Sequence, residues 1–180
     1  MLFPDSAALH PGYGTGLGNL IIDYNEYCCE SRTGAHNLVI GPAHQYTSVG
    51  GFIAGYRNTV SGISGSVADG AENEAESRHS SVTGGWFNVA SGFNSSISGG
   101  VGNITGNNFS HVSGGRNNIA NGDASSIVGG QYNQTAGPTA VVSRGKSNTS
   151  AGTLSVVSGD EGRYALGVHD WVAGSLLEDF

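Results

Sequence analysis

Residues with reactive side chains are few in this sequence, and they do not occur at the spacings that catalysis or metal binding requires. Its six histidines include no pair at the i, i+4 spacing typical of metal ligands. No Gly-x-Ser-x-Gly segment presents a nucleophilic serine. Gly145-Lys146-Ser147 resembles the end of a phosphate-binding loop but lacks its upstream glycine. We therefore predict that the protein is not an enzyme and has no catalytic residue, cofactor or metal site.

Acidic side chains dominate the charge of the chain. Seven Lys and Arg stand against fourteen Asp and Glu, for a formal net charge of −7. Nucleic acid requires a basic surface, so we exclude it as a partner. Asp69, Glu72, Glu74 and Glu76 lie close together and could hold a cation, but a solvated acidic patch is the simpler interpretation. No segment approaches the roughly 20 apolar residues of a membrane helix, so we expect no membrane insertion by this chain.

Glycine is the most unusual feature of the composition, with 31 of the 180 residues. Together with abundant Ser and Asn it excludes a helical bundle, because these residues form helices poorly. The 37% hydrophobic fraction disfavours a disordered chain. The glycines show no period of three, which excludes collagen. The composition therefore favours a β architecture rich in turns.

A 15-residue internal repeat organises most of the chain. The apolar residue of each Ser-Val-Ser-Gly-Gly-like segment recurs every 15 positions, with no insertion or deletion between repeats. A fixed period of this kind indicates a solenoid, in which each repeat forms one coil. The predicted core residues, one from each repeat, are Phe52, Val67, Val82, Ile97, Val112, Ile127, Val142, Val157 and Val172.

Asparagine forms a second column, six residues after each core position. Stacked coils place identical residues about 4.8 Å apart. We therefore expect a ladder of amides, each bonded to the coils above and below. Three of the five Asn-x-Ser/Thr triplets begin at ladder positions, so the repeat explains them better than glycosylation does. The predicted ladder consists of Asn58, Asn73, Asn88, Asn103, Asn118, Asn133 and Asn148.

Each coil divides into strand, turn, strand and turn. In the coil around Ile97 we predict strands at 95–99 and 103–107, joined by a turn that contains Gly100. Side chains alternate across a strand, so Ser95 and Ile97 point inward together. The glycine that recurs three residues after each core position fits a turn with positive φ. The predicted fold is an all-β parallel solenoid with two short strands in each 15-residue coil.

Four segments follow from the repeat. We expect an irregular N-terminal cap at 1–18, and degenerate coils at 19–51 with an inserted loop at 24–34. The regular solenoid is predicted at 52–174. Residues 175–180 leave the repeat, and they either cap the last coil or begin a stalk.

The repeat resembles the head repeats of trimeric autotransporter adhesins of the Yersinia adhesin type. The segment Ser-Ser-Ile-Ser-Gly-Gly at 95–100, followed by Asn103, carries this resemblance. The chain is also similar to uncharacterised bacterial surface proteins with arrays of Ser-Val-Ser-Gly-Gly-x-x-Asn-Thr-Ala-Ser-Gly, whose flanking segments match 36–41 and 170–179. The resemblance implies a left-handed parallel β-roll, three chains side by side, at the cell surface or outside the cell. The adhesin repeat is usually one residue shorter.

An apolar stripe is predicted on the outside of the solenoid. Val89, Ile104 and Ile119 share one outward column of the second strand. Such a stripe usually marks an interface. A coil with a single Val or Ile among Gly, Ser, Ala and Asn also buries little apolar area against the cost of ordering the backbone. We therefore predict a homo-oligomer, and the adhesin resemblance implies a parallel trimer.

These observations favour a non-catalytic structural or adhesive module outside the cell. It would be a rigid rod or head that displays a polar surface to a host glycan or surface protein. One alternative is the receptor-binding fibre of a phage or related particle. Another is a filament subunit, because an uncapped solenoid end exposes a sheet edge. Ice binding through the outward Ser and Thr columns is a further alternative, although His111 and Val128 interrupt those columns.

Overall fold

The computed structural model describes residues 3–4, 18–22 and 31–174. Within these residues the chain forms a parallel β-solenoid of about ten coils, and it contains no helix. Consequently no helix that could cross a membrane occurs in the described part of the chain. The prediction of an all-β parallel solenoid is confirmed.

Some of the predicted segments fall outside these residues. This applies to most of the N-terminal cap, to all but the last four residues of the inserted loop, and to the C-terminal segment after Gly174.

The first of two sheets runs along the whole described length. Its strands pair in parallel in chain order, except that the first strand pairs antiparallel with the second. In the regular coils each residue lies opposite the residue 15 positions later, as Ile97 does opposite Val112. The strands are β1 (Phe3–Pro4), β2 (Leu20–Ile22), β3 (Leu38–Ile40), β5 (Phe52–Ala54), β7 (Ser66–Val67), β9 (Ser81–Val82), β11 (Ser96–Ile97), β13 (His111–Val112), β15 (Ser126–Ile127), β17 (Val141–Val142), β19 (Val156–Val157) and β21 (Trp171–Val172).

The second sheet has nine strands, again parallel and in register. A third ladder of single-residue bridges joins the coils at the corner between the two sheets, as between Trp86 and Val101. The strands are β4 (Gln45–Tyr46), β6 (Thr59–Val60), β8 (Glu74–Ala75), β10 (Val89–Ala90), β12 (Ile104–Thr105), β14 (Ile119–Ala120), β16 (Gln134–Thr135), β18 (Thr149–Ser150) and β20 (Tyr164–Ala165).

The strands are shorter than predicted. In the regular coils each has two residues rather than five, because corners interrupt the chain on both sides. Three corner positions recur with positive φ in every regular coil, and they are Gly85 (90°), Phe87 (55°) and Asn94 (53°) in the coil of Val82. In this coil the first must be glycine, because a Cβ at Gly85 would collide with the carbonyl oxygen of the next coil. The other two project side chains outward, so they carry no glycine signature in the sequence.

The core is a narrow column with one larger apolar side chain from the first sheet in each coil. In the regular coils a smaller residue from the second sheet faces it, such as Ala90 or Thr105. Val172 packs against this column from the last described coil and is partly buried. The predicted core residues that are fully buried are Val67, Val82, Ile97, Val112, Ile127, Val142 and Val157.

The prediction was wrong at Phe52. Ile53 is buried and lies opposite Val67, while Phe52 faces outward opposite Ser66. The two coils that begin at Val39 and Ile53 are each one residue shorter than the regular coils, so extending the regular period back from Val67 misses the core by one position. The regular repeat therefore begins one coil later than predicted.

Candidate functional site

The asparagine column lies inside the solenoid, where every amide is used by the backbone. Oδ1 of Asn103 accepts a hydrogen bond from the backbone N–H of Asn118 at 3.0 Å. Its Nδ2 donates to the carbonyl oxygens of Gly99 and Gly115 at 3.0 and 3.1 Å. Each amide thus joins its own coil to the following one. The buried residues with this set of bonds are Asn58, Asn73, Asn88, Asn103, Asn118, Asn133 and Asn148.

The ladder differs in one respect from the predicted chain of amide-to-amide bonds. Direct contacts between neighbouring amides occur at only some steps, such as Asn103 to Asn88 at 3.1 Å. The principal partners are backbone N–H and C=O groups at the corner. The amide supplies the hydrogen bonds of the Asn118 N–H and the Gly99 carbonyl, whereas the Gly115 carbonyl also accepts from the Val101 N–H. An unsatisfied buried backbone group is costly. The column is therefore a structural seam along the inside of the rod.

His44 takes the place of asparagine in the first coil of the ladder. Its Nδ1 accepts a hydrogen bond from the backbone N–H of Asn58 at 3.2 Å. Its Nε2 lies 3.0 Å from the carbonyl oxygen of Ile40, which can only accept, so Nε2 carries the proton. These two bonds match the Oδ1 and Nδ2 bonds of an asparagine. His44 is fully buried and serves the same structural purpose.

The ladder ends with an ion pair in the last complete coil. Arg163 replaces the asparagine, and Asp160 replaces the corner glycine with a φ of 74°. The Arg163 guanidinium donates to Oδ2 of Asp160 at 2.6 Å. The backbone N–H of Arg163 still donates to Oδ1 of Asn148 at 2.9 Å, so the seam continues to this point.

The outer face of the first sheet is polar in its central coils. Most outward side chains there are short and carry a hydroxyl group, and few are larger. Among them, Oγ of Ser96 lies 2.8 Å from Nδ1 of His111. Toward the C-terminal end the same outward column becomes apolar, with Val141, Val156 and Trp171. The regular array of hydroxyls that ice binding requires is therefore confined to a few coils.

The predicted stripe occupies three successive strands of the second sheet. Val89, Ile104 and Ile119 are in register on β10, β12 and β14, and each is half-buried. The same column is polar on either side of them, with Glu74 in the preceding coil and Gln134 in the following one. The stripe is thus limited to the middle of the rod.

More strongly exposed apolar groups lie at the corner that precedes Val89 and Ile104, whereas Arg116 and Asn117 occupy that corner before Ile119. Trp86 and Phe87 are 51% and 47% exposed, and their rings stack with centroids 4.8 Å apart. Val101 follows Trp86 in the bridge column. Sequence reasoning did not assign Phe87 or Val101 to a surface, because the direction of a corner residue depends on its φ. We define the apolar patch as Trp86, Val89, Val101, Ile104 and Ile119; Phe87 lines the groove described next and is kept apart from the patch.

A polar groove lies beside this corner on the N-terminal coils and has a volume of about 190 Å³. Nη1 of Arg57 and Oε1 of Glu72 face each other there at 3.8 Å. Burial raises the pKa of Glu74, and a hydrogen bond and charge repulsion from Glu76 raise it further. The groove is lined by Ala43, Gln45, Arg57, Thr59, Glu72, Glu74 and Phe87.

The fold keeps part of the acidic cluster together. Glu72 and Glu74 line the groove, and Glu76 hydrogen-bonds with Glu74 and also accepts a hydrogen bond from Ser91 at 2.8 Å. Among the described residues no three His, Cys, Asp or Glu side chains are arranged to hold a metal ion. The groove therefore combines carboxylates with an amide, a hydroxyl and a guanidinium.

No protein-family model matches this chain, and no curated protein is similar to it in sequence.

Proposed function

We propose that this chain is a non-catalytic structural and adhesive module that acts outside the cell or at its surface. The observation that carries the proposal is the uninterrupted in-register pairing from β2 to β21. Ten steps of about 4.8 Å give a rod of about 48 Å along the axis. The asparagine seam ties successive coils together, which favours a stiff rod that holds a surface at a fixed distance.

The apolar patch supports the second part of the proposal, which is self-association into a parallel homotrimer. Exposed Trp86 and Val101 adjoin the stripe, so the patch is larger than the stripe alone. The core of each coil is small, and burial of the patch would add stability that one chain lacks. The resemblance to adhesin heads favours the same stoichiometry and a left-handed coil.

The N-terminal end of the rod favours this module over a filament subunit. Among the residues that the structure describes, the outermost strand of the first sheet at that end is β1, which runs antiparallel to β2 and contains Pro4. Proline has no N–H to donate, and an antiparallel strand presents the wrong polarity to a parallel stack. Both features oppose the addition of another copy at that edge.

Light scattering on the purified chain tests the proposed assembly. A single chain has a mass of 18.3 kDa, so a trimer would have about 55 kDa. Ile104→Arg should shift the mass to that of the monomer, because it places charge in the centre of the patch. Ser81→Arg, on the first sheet, is the matched control and should leave the mass unchanged. A wild-type mass equal to that of the single chain would refute the trimer.

Binding to cells or to immobilised host proteins and glycans tests the adhesive part. Beads coated with the protein should adhere to a cell surface above the level of beads coated with an unrelated acidic protein. Adhesion that is absent from every surface tried would leave only the structural part of the proposal.

A further inference from the structure

The groove on the N-terminal coils places hydrogen-bonding groups next to an exposed aromatic ring. One side consists of the outward residues of β4, β6 and β8. The other side consists of the corner residues Arg57, Glu72 and Phe87. The site is therefore elongated and follows the axis of the rod.

The corner residues form a wall because their left-handed backbone conformation directs the side chains outward. The φ angles of Arg57, Glu72 and Phe87 are 51°, 55° and 55°. Stacking spaces them at about 4.8 Å along the axis. Gly102 occupies the same corner in the next coil and has no side chain, so the wall ends at Phe87.

The polar groups of the groove include donors and acceptors in similar number. Arg57 and Glu72 are 3.8 Å apart, which is longer than a direct hydrogen bond, so both retain bonding capacity for a ligand. The amide of Gln45 and the hydroxyl of Thr59 can each donate and accept. One guanidinium and two carboxylates give a negative balance, which opposes an anionic ligand.

Phe87 provides a flat apolar face at the end of the groove. It is 47% exposed, and Trp86 stacks on it with an angle of 24° between the two rings. The stacked partner restricts the motion of the ring. A sugar ring presents one face of C–H groups and a rim of hydroxyls, so it matches an aromatic face bordered by amide, carboxylate and guanidinium groups.

We propose that this groove is a binding site for a neutral oligosaccharide, which stacks one sugar ring on Phe87 and donates hydroxyl hydrogen bonds to Glu72 and Glu74. The site rests on the adhesive function proposed above and names the ligand class of that function. Most of it lies in the coils before the apolar patch. Three chains joined through the patch would carry three such sites at one end of the assembly, which favours avid binding to a glycan-coated surface.

The experiment uses the full chain on an array of immobilised neutral, sialylated and sulphated oligosaccharides, with a lysine- and arginine-rich peptide as a separate arm. The repeat itself supplies substitutions that its corners accept. Phe87→Gly reproduces Gly102, and Arg57→Asn reproduces Asn117. Tyr132→Gly is the matched control, because Tyr132 occupies the same corner in a coil beyond the groove and is also exposed.

We expect neutral oligosaccharides to bind, and Phe87→Gly and Arg57→Asn to weaken that binding at least tenfold while Tyr132→Gly leaves it unchanged. Circular dichroism checks that the variants fold. Binding confined to anionic glycans or to the basic peptide would overturn the proposal, as would an equal loss in the control. Bead adhesion separates the two proposals: adhesion that survives Phe87→Gly would leave the adhesive function standing and the groove refuted.

Discussion

The two N-terminal coils and the regular coils solve the same packing problem with different side chains. In the coils that begin at Val39 and Ile53, the second sheet buries Tyr46 and Val60. In the regular coils the equivalent positions hold Ala, Thr or Ser. The N-terminal coils have one residue fewer at the corner after the first strand, so Gly55 follows Ile53 by two positions, whereas corner glycines follow regular core residues by three.

This difference shows which parts of the coil the fold requires. The corner after the first strand accepts the loss of a residue, because only a backbone turn occupies it. The ladder position keeps its bonds in both regions, since His44 reproduces two bonds of an asparagine. The interior accepts side chains as different as Tyr46 and Ala75 at equivalent positions. Two features stay constant. Side chains alternate between inward and outward along each strand, and the backbone N–H and C=O groups of the corner have hydrogen-bond partners.

The largest effect is expected from a charge in the narrow core of a regular coil. Ile97→Asp should lower the free energy of unfolding by at least about 4 kcal/mol or abolish folding, because a buried carboxylate finds no partner there. Val112→Asp should behave alike. Ser96→Asp is the control, since Ser96 is half-buried and faces His111. Urea denaturation measures the difference, and equal losses in all three variants would refute the inward alternation.

A smaller effect is expected from substitutions in the asparagine ladder. The effect should differ between Asn103 in a regular coil and His44 in an N-terminal coil. Asn103→Ala removes the hydrogen bonds that the amide makes with the Asn118 N–H and the Gly99 carbonyl, while the Gly115 carbonyl keeps its bond from the Val101 N–H. We expect a loss of about 2–4 kcal/mol in the free energy of unfolding, measured by urea denaturation. His44→Asn should cost less than about 1 kcal/mol, because an amide can make the bonds that the imidazole makes. A large loss in His44→Asn would show that the first coil needs the ring itself.

Deletion of Ala68 tests whether a regular coil can adopt the shorter corner of the N-terminal coils. The shortened sequence Val67-Asp69-Gly70 matches the spacing of Ile53-Ala54-Gly55. Only the hydrogen bond from the Ala68 N–H to the carbonyl of Val82 is lost, so we expect a cost of about 1–2 kcal/mol. Deletion of Ser91, after the second strand, is the control and should disrupt folding. Thermal unfolding of both deletions gives the comparison.

The smallest effect is expected at Glu74, at the border of the two regions. Its pKa in the folded protein lies above the ordinary value of 4.5, because of burial and the neighbouring Glu76. The folded state therefore binds the proton more tightly, and the contribution of Glu74 to stability falls as the pH rises above 4.5. Glu74→Gln should raise the free energy of unfolding at pH 7 by less than about 1 kcal/mol, because solvent screens the half-buried group. Urea denaturation at pH 7 and pH 4 measures the gain, which should vanish at the lower pH.

Much of the fold could be predicted because the repeat acts as its own alignment. A 15-residue period with Val or Ile, Asn and Gly in constant columns leaves few alternatives to stacked coils. The inward position of Ile97 and the ladder position of Asn103 follow from alternation alone. Phe52 was assigned wrongly because the same period was extended across a coil with one residue fewer.

The groove could not be predicted in the same way. Its lining residues come from several coils, and only Glu72 and Glu74 stand out in the sequence, as members of the acidic cluster. Arg57, Glu72 and Phe87 point outward because of a positive φ that no glycine marks. The stripe was visible because alternation along a strand reveals its outward residues. Corner residues follow no alternation, so the sequence did not show that Phe87 and Val101 are exposed.

The sequence by itself determined the solenoid, its period and its inner columns, because side chains that repeat at one interval must meet their copies when the coils stack. Only the tertiary structure decided where the coils shorten, which corner residues project and where a groove opens. The reason is that these features depend on backbone angles and on neighbours one coil away. A local residue pattern does not encode either of them, whereas the stacked backbone brings Gln45, Thr59 and Glu74 side by side.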